Sequence, residues 1–175
     1  QFRSISVRLF GVHQASNVLA AMKAAEVAGM TQKEIIKASR AIAPLPHTMN
    51  PIKGINGSDF IDDTFNNNPD AAIAAINYLD TLSGRKILVF QPMIELGEFA
   101  RESHETVAKR AGEVFSEVIL TNESFAPVFQ KYKQKPHVSV LSPKSAAQHL
   151  KKTVSRGDTV LFKGKEAGRV LQLLV

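Results

Sequence analysis

Residues 61–90, IDDTFNNNPDAAIAAINYLDTLSGRKILVF, hold the smallest unit from which the fold can be read. Asn68-Pro69 has the chemistry of a helix start, because proline fits a first turn where its missing N–H has no intrahelical partner. Ile73, Ile76 and Leu79 then recur at a spacing of three. That spacing predicts a helix over 69–81 with those residues on its core face. KILVF, 86–90, is a short apolar run of the kind buried on both faces of a parallel sheet. A strand ending at 61–63, this helix and a second parallel strand make one right-handed crossover.

The alternation continues downstream. A loop to Gly97 leads to a helix over about 98–113, and EVILT reads as a strand. SFAPVFQKY is helical despite Pro127, and HVSVL is a short strand. SPKSAAQHLKK is a helix with Ser142 as N-cap and Pro143 in its first position. DTVLF is a strand and EAGRVLQLL a closing helix. Upstream, MNPIKGI and SDFID form a hairpin around Asn56-Gly57. APLPHTMNP, with three prolines, marks a domain boundary. Before it, TQKEIIKASRAI opens on the capping-box pair Thr31 and Glu34. A helix over about Ala15–Ala28 stops at Gly29, and the alternating SISVRL, 4–9, reads as a strand. The whole predicts an α/β fold with a doubly wound, mostly parallel sheet, preceded by a strand and two helices.

Bulk properties narrow the function. The length of 175 residues suits one substantial domain, or one domain and part of another. There is no cysteine, which excludes disulfides, thiolate catalysis and cysteine-bound metals. No apolar run reaches the roughly 18 residues of a bilayer span, and QFRSISVRLFG has no secretory pattern. A cytoplasmic location is expected, so the sequons at Asn56 and Asn122 read as chance. The net charge of +6 favours anionic partners: nucleic acid, a membrane surface or phosphorylated small molecules. The one local basic cluster, QKYKQK at 130–135, reads as a solvated helix end, so nucleic acid is not the expected partner.

In a doubly wound sheet ligands bind beyond the carboxyl ends of the strands. DDTFNNN, QPMIELGE, TNES and KGKE all fall there. Turns and caps explain any one such loop. Polar loading at several loops of one edge favours a ligand site. Adjacent Asp62 and Asp63 point to opposite faces, so one serves a ligand while the other orients the loop. Asn66, Asn67 and Asn68 offer uncharged donors and acceptors, and Asn68 is equally a helix N-cap. Glu95 suits a cation or an amine. His104 on its helix is either a proton shuttle or a structural histidine. VLFKGKEAGR is not a phosphate loop, because Gly157 and Gly164 have the wrong spacing and Lys165 is followed by Glu166. Lys163 and Gly164 nonetheless sit at a strand-to-helix junction, where backbone amides attract anions. The histidines lack zinc-like spacing, and no metal site is expected.

Four segments in order resemble the Mur ligases, the ATP-dependent amide ligases of peptidoglycan synthesis. GVHQASNVLAA is similar to their G-x-H-N-x-x-N-x-L-A-A helix, IDDTFNNNP to D-D-S-Y-N-A-N-P, MIELGEFARESH to M-x-E-L-G with a later His, and VLFKGKEAG to V-L-V-K-G-S-R. The second and third forms are most similar to the MurF type, which joins D-alanyl-D-alanine to a UDP-muramoyl tripeptide. The resemblance implies a Rossmann-like C-terminal domain over 48–175 and the tail of the central ATP-binding domain over 1–47. It implies that the UDP-sugar domain, the P-loop and the Mg2+ ligands lie outside these 175 residues, which alone are expected to be inactive.

The implied chemistry is phosphorylation of a substrate carboxylate by ATP, followed by attack of an amine on the acyl phosphate. Carried over residue by residue, Gln14 and Asn17 contact adenine, His13 supports that turn, and Asp63 binds the ribose. Asn66 and Asn68 shape the acceptor loop, with Phe65 where the family has Tyr. Glu95 and His104 lie in or behind the acceptor pocket, and Lys163 and Gly164 lie by the acceptor carboxylate. Three departures stand out: Thr48 where the hinge has Arg, Gln14 where adenine meets Asn, and Lys165-Glu166 where the family has Ser-Arg. The implied partners are the UDP-muramoyl peptide, an amino acid or dipeptide acceptor and the missing domains. The alternatives are a divergent, non-catalytic Mur-like module that binds nucleotide or a protein, and a free-standing domain for a phosphorylated ligand or nucleic acid.

Overall fold

The computed structural model describes residues 5–9, 11–132 and 136–175, with only the backbone of His13. The chain forms two compact units, 1–45 and 46–175. In the first, α1 (His13–Val27) and α2 (Gln32–Arg40) pack together. Gly29, at φ +92, lets the chain turn out of α1. The expected capping box is formed: Thr31 Oγ1 accepts the Glu34 N–H at 3.4 Å, and the Thr31 N–H donates to Glu34 Oε2 at 2.8 Å. Val18, Met22 and Ile35 make the small core, against which Ile5, Val7 and Leu9 pack. The alternation at the start of the chain is therefore real, but residues 5–9 form no strand. A strand needs a neighbour to take its backbone hydrogen bonds, and no described residue of this unit pairs with them. Ser4, Phe10 and the last three residues of QKYKQK lie outside the described residues.

The second unit is a six-stranded sheet in the order β1-β2-β6-β3-β4-β5. Its strands are β1 (Asn50–Lys53), β2 (Asp59–Asp63), β3 (Lys86–Phe90), β4 (Glu117–Leu120), β5 (His137–Val140) and β6 (Thr159–Lys163). Only β1 is antiparallel, joined to β2 by the expected hairpin. Asn56 and Gly57 both take positive φ there, 53° and 78°, as the tight turn requires. The helices are α3 (Pro69–Asp80), α4 (Ala100–Val114), α5 (Ala126–Lys131), α6 (Pro143–Thr153) and α7 (Lys165–Gln172). α4 follows a short 3-10 turn at Gly97–Phe99 rather than starting at 98. Pro127 does not break α5, because it sits in the first turn.

Helices α3, α4 and α5 pack in series, and α6 packs on α7. Phe60, Ile87, Val89, Ile119, Val160 and Phe162 share a core with Ala146, Leu150, Ala167 and Val170 of α6 and α7. The alternate strand residues turn to the opposite face, where Phe90 meets Phe129 of α5 with ring centroids 5.4 Å apart. Both faces are covered, which is why the central strands read as continuous apolar runs. In α3, Ile76 and Leu79 are buried as expected and Ile73 is half-buried, with Ala72 and Ala75 taking the closest positions against the sheet. The chain moves outward from β2 through β3, β4 and β5, then returns to place β6 between β2 and β3. The topological switch therefore lies at β6.

Candidate ligand edge at the switch point

Register brings the parts together. Asp63 of β2 pairs with Lys163 of β6, which pairs with Phe90 of β3. The next residues, Thr64, Gly164 and Gln91, emerge side by side at the carboxyl edge. Lys163 and Asp63 are both buried, and Lys163 Nζ donates to Asp63 Oδ2 at 2.6 Å and to the Asn66 carbonyl at 3.0 Å. The other Asp63 oxygen accepts the Met49 N–H at 3.2 Å. A buried pair of this kind is costly to break, because the surviving charge has no water to turn to. Lys163 thus ties two strand ends and the 64–68 loop into one body.

Asp62 points the other way. Its Oδ1 accepts the Thr64 hydroxyl at 2.6 Å and the Thr64 N–H at 3.2 Å, while Oδ2 faces His47 Nδ1 at 2.8 Å. His47 and Met49 both have left-handed backbone, φ 62° and 46°. The bonds from the Phe65 N–H to the His47 carbonyl, 2.9 Å, and from Met49 to Asp63 hold them there. The two adjacent acids therefore do different work, as their opposite directions require.

Gln91 joins the remaining loops. Its backbone N–H donates to the Lys163 carbonyl, its carbonyl accepts the Asn67 side-chain amide at 2.6 Å, and its Oε1 accepts the Glu166 N–H at 2.8 Å. Gly164, at φ +93, lies against it: a Cβ there would be 2.8 Å from Gln91 Cβ. Only glycine allows this approach. Glu166, in the first turn of α7, accepts the Thr121 hydroxyl at 2.7 Å and the Asn122 amide at 3.3 Å. Loops after β2, β3, β4 and β6 are thus linked by side chains. Asn67 Oδ1 is buried with no partner among the described residues.

The residues singled out from the sequence separate into groups. Asp63, Asn66, Lys163 and Gly164 meet directly, although Asn66 contributes its carbonyl to Lys163 and its side chain to the Asn67 N–H. Asn68 caps α3, its Oδ1 accepting the Ala71 N–H at 2.8 Å. Phe65 is 68% exposed and Glu95 is exposed with φ 63°. His104 is wholly buried. Its Nε2 accepts the Met93 N–H at 2.8 Å, so Nδ1 carries the proton and donates to the Ala100 carbonyl at 2.6 Å. Burial holds its pKa below the ordinary histidine value, and the ring stacks on Phe125 with centroids 3.5 Å apart. A neutral ring with both nitrogens engaged anchors the 91–96 loop to α4. In the first unit, Asn17 and Gln14 bond to each other at 3.0 Å on the surface of α1. The side chain of His13 lies outside the described residues.

Gln91 and His47 were not candidates from sequence, and Asn67, expected to offer its amide to a ligand, donates it to the Gln91 carbonyl. Gln91 had one available signal, as the first polar residue after a buried apolar strand. His47 had none, because its role depends on a left-handed backbone. Among the described residues no group of three or more histidines and acids is placed to hold a metal ion.

Comparison with known proteins agrees with this architecture. The UDP-N-acetylmuramoyl-tripeptide–D-alanyl-D-alanine ligase of Bacillus subtilis is 27% identical over 179 residues, covering 96% of this chain and 38% of that protein. The UDP-N-acetylmuramoylalanine–D-glutamate ligase of Marinobacter nauticus is 33% identical over 98 residues, covering 51% of this chain and 22% of that protein. Among solved structures, the MurF ligase from Thermotoga maritima in complex with ADP is similar with a TM-score of 0.79 and 28% identity, over 94% of this chain and 38% of that one. This chain therefore spans well under half the length of the relatives it matches. Residues 49–166, which hold all six strands of the sheet and its ligand edge, match the Mur ligase glutamate ligase domain, and the chain belongs to the Mur ligase family.

Proposed function

We propose that this chain is the C-terminal part of an ATP-dependent amide ligase of peptidoglycan precursor synthesis, with 48–175 as the C-terminal domain and 1–47 as the tail of the central domain. On this reading it adds D-alanyl-D-alanine, or a related amino acid or dipeptide, to a UDP-muramoyl peptide through an acyl phosphate. The supporting observation is the linkage of four loops at the switch point through Lys163, Gln91 and Glu166. Such a rigid edge suits positioning an acceptor, because holding the reacting groups in orientation removes part of the barrier. Asp63 is the residue for the ATP ribose: its carboxylate already accepts from Met49 and Lys163, and its remaining lone pairs suit hydroxyl donors. ATP supplies the phosphoryl group, and Mg2+ is held by residues outside this stretch. The acceptor side falls to Phe65, Asn66 and Glu95, with Gly164 leaving room at the start of α7. Lys163 acts on it through the loop it holds.

The test uses the full-length protein. Phosphate release from ATP is expected only with both a UDP-muramoyl tripeptide and D-alanyl-D-alanine present, and Asp63→Asn should raise the KM for ATP. Acceptor-independent release, or none across a panel of amino acids and dipeptides, defeats this reading. The second outcome supports a divergent module that binds nucleotide without ligating. Thr48 and Glu166, which stand where the resemblance places arginines, favour that alternative.

A further inference from the structure

The opposite, amino edge of the sheet has a different character. Lys53 ends β1 beside Asp59, Lys86 opens β3, Lys151 and Lys152 lie in the last turn of α6, and Arg156 precedes β6. These parts form one surface: the Asn56 side-chain amide donates to the carbonyls of Lys151 and Val154, and the Arg156 stem lies on Gly57, where a Cβ would be 3.3 Å from Arg156 Cγ. The acids nearby are already taken. Glu117 and Asp158 are buried and paired with Arg85, Glu117 also faces His149, and Asp59 is paired with Lys53. Lys151, Lys152 and Arg156 are exposed and have no acidic partner among the described residues. A helix dipole accounts for lysines in the last turn of α6. It does not account for Arg156 or Lys86.

A second feature adjoins them. α7 starts at the carboxyl edge and runs back toward the amino edge, where Leu173 and Val175 emerge 48% and 72% exposed. Leu174, between them, belongs to the same core cluster as Val154 at the end of α6. The exposed phenylalanines, Phe65 and Phe99, lie in the loops of the other edge, so among the described residues no exposed phenylalanine adjoins these cations, and aliphatic side chains do. We propose that the amino edge docks on an anionic lipid surface, with Lys86, Lys151, Lys152 and Arg156 meeting the headgroups and Leu173 and Val175 entering the interface. Cations bordered by exposed aliphatic residues fit that environment, which rewards both. The ligand edge would then face away from the membrane, open to substrate.

Vesicle sedimentation with the purified 175-residue protein tests this. The protein should sediment at low salt with phosphatidylcholine vesicles containing about one third phosphatidylglycerol. It should stay in solution with phosphatidylcholine alone and be released at high salt. The triple variant Lys151→Gln/Lys152→Gln/Arg156→Gln should weaken partition roughly 100-fold. A control with the same change in net charge, Lys33→Gln/Lys37→Gln/Arg40→Gln on the exposed face of α2, should weaken it far less. No sedimentation with the anionic vesicles overturns the proposal. Equal losses in the two triple variants overturn it as well, since they would show a diffuse effect of net charge. Tighter binding to a duplex oligonucleotide at the same salt would assign the edge to nucleic acid instead.

Discussion

At the scale of single residues the ligand edge depends on groups that are buried and already partnered. Lys163→Met leaves Asp63 charged and buried with one donor fewer, and should destabilise the protein by about 3–5 kcal/mol in chemical denaturation. Lys163→Met/Asp63→Leu should recover much of that loss; if it does not, the pair is not the reason Lys163 is buried. His104 gives a pH signature. Its folded pKa lies below the unfolded value, so the unfolded chain binds the proton more readily. Stability should therefore fall as pH drops through about 6.5 and below. His104→Gln should flatten that part of the profile of Tm against pH, although it also lowers Tm by disturbing the Met93 and Phe125 contacts.

At the scale of elements, what was legible in the sequence is what local chemistry decides. Thr31 with Glu34, Asn68 with Pro69, Ser142 with Pro143 and Asn56 with Gly57 each satisfy a requirement of their own backbone, and each sits where its neighbours say it should. Asn68→Ala should accordingly cost about 1 kcal/mol, read as a lower denaturation midpoint. The strand expected over 4–9 differs because pairing is not local: alternation fixes which side chains turn inward, and says nothing about a partner. The ligand edge was legible as a set of polar loops, but not as a network. The contacts of Gln91 with Asn67 and Glu166 span 24 and 75 residues of sequence, and no spacing rule reaches that far. Gly164→Ala tests this junction. A side chain there meets Gln91 in a backbone region that strongly favours glycine, and the variant should lose about 2–3 kcal/mol.

At the scale of the whole molecule the division after residue 45 carries its own expectation. The second unit has a complete two-faced core, whereas the first rests on a few apolar side chains. A chain trimmed to 46–175 should retain a single cooperative thermal transition and the circular dichroism of an α/β fold. The isolated residues 1–45 should not fold, because so short a chain buries too little surface to offset its conformational entropy. Charge divides along a different axis: at the amino edge Asp59, Glu117 and Asp158 are paired, while Lys151, Lys152 and Arg156 have no acidic partner among the described residues.

The margin of the sheet formed by β1 is guarded in a way that neither function nor folding explains. Pro51 interrupts the outward row of donors on that flank, and Lys53, 91% exposed, adds a charge that a docking strand would have to bury. Another molecule therefore cannot extend the sheet there by simple strand addition. Self-association, if provoked by heat or crowding, should begin elsewhere, and Pro51→Thr with Lys53→Thr should turn this flank into the first place where aggregates nucleate.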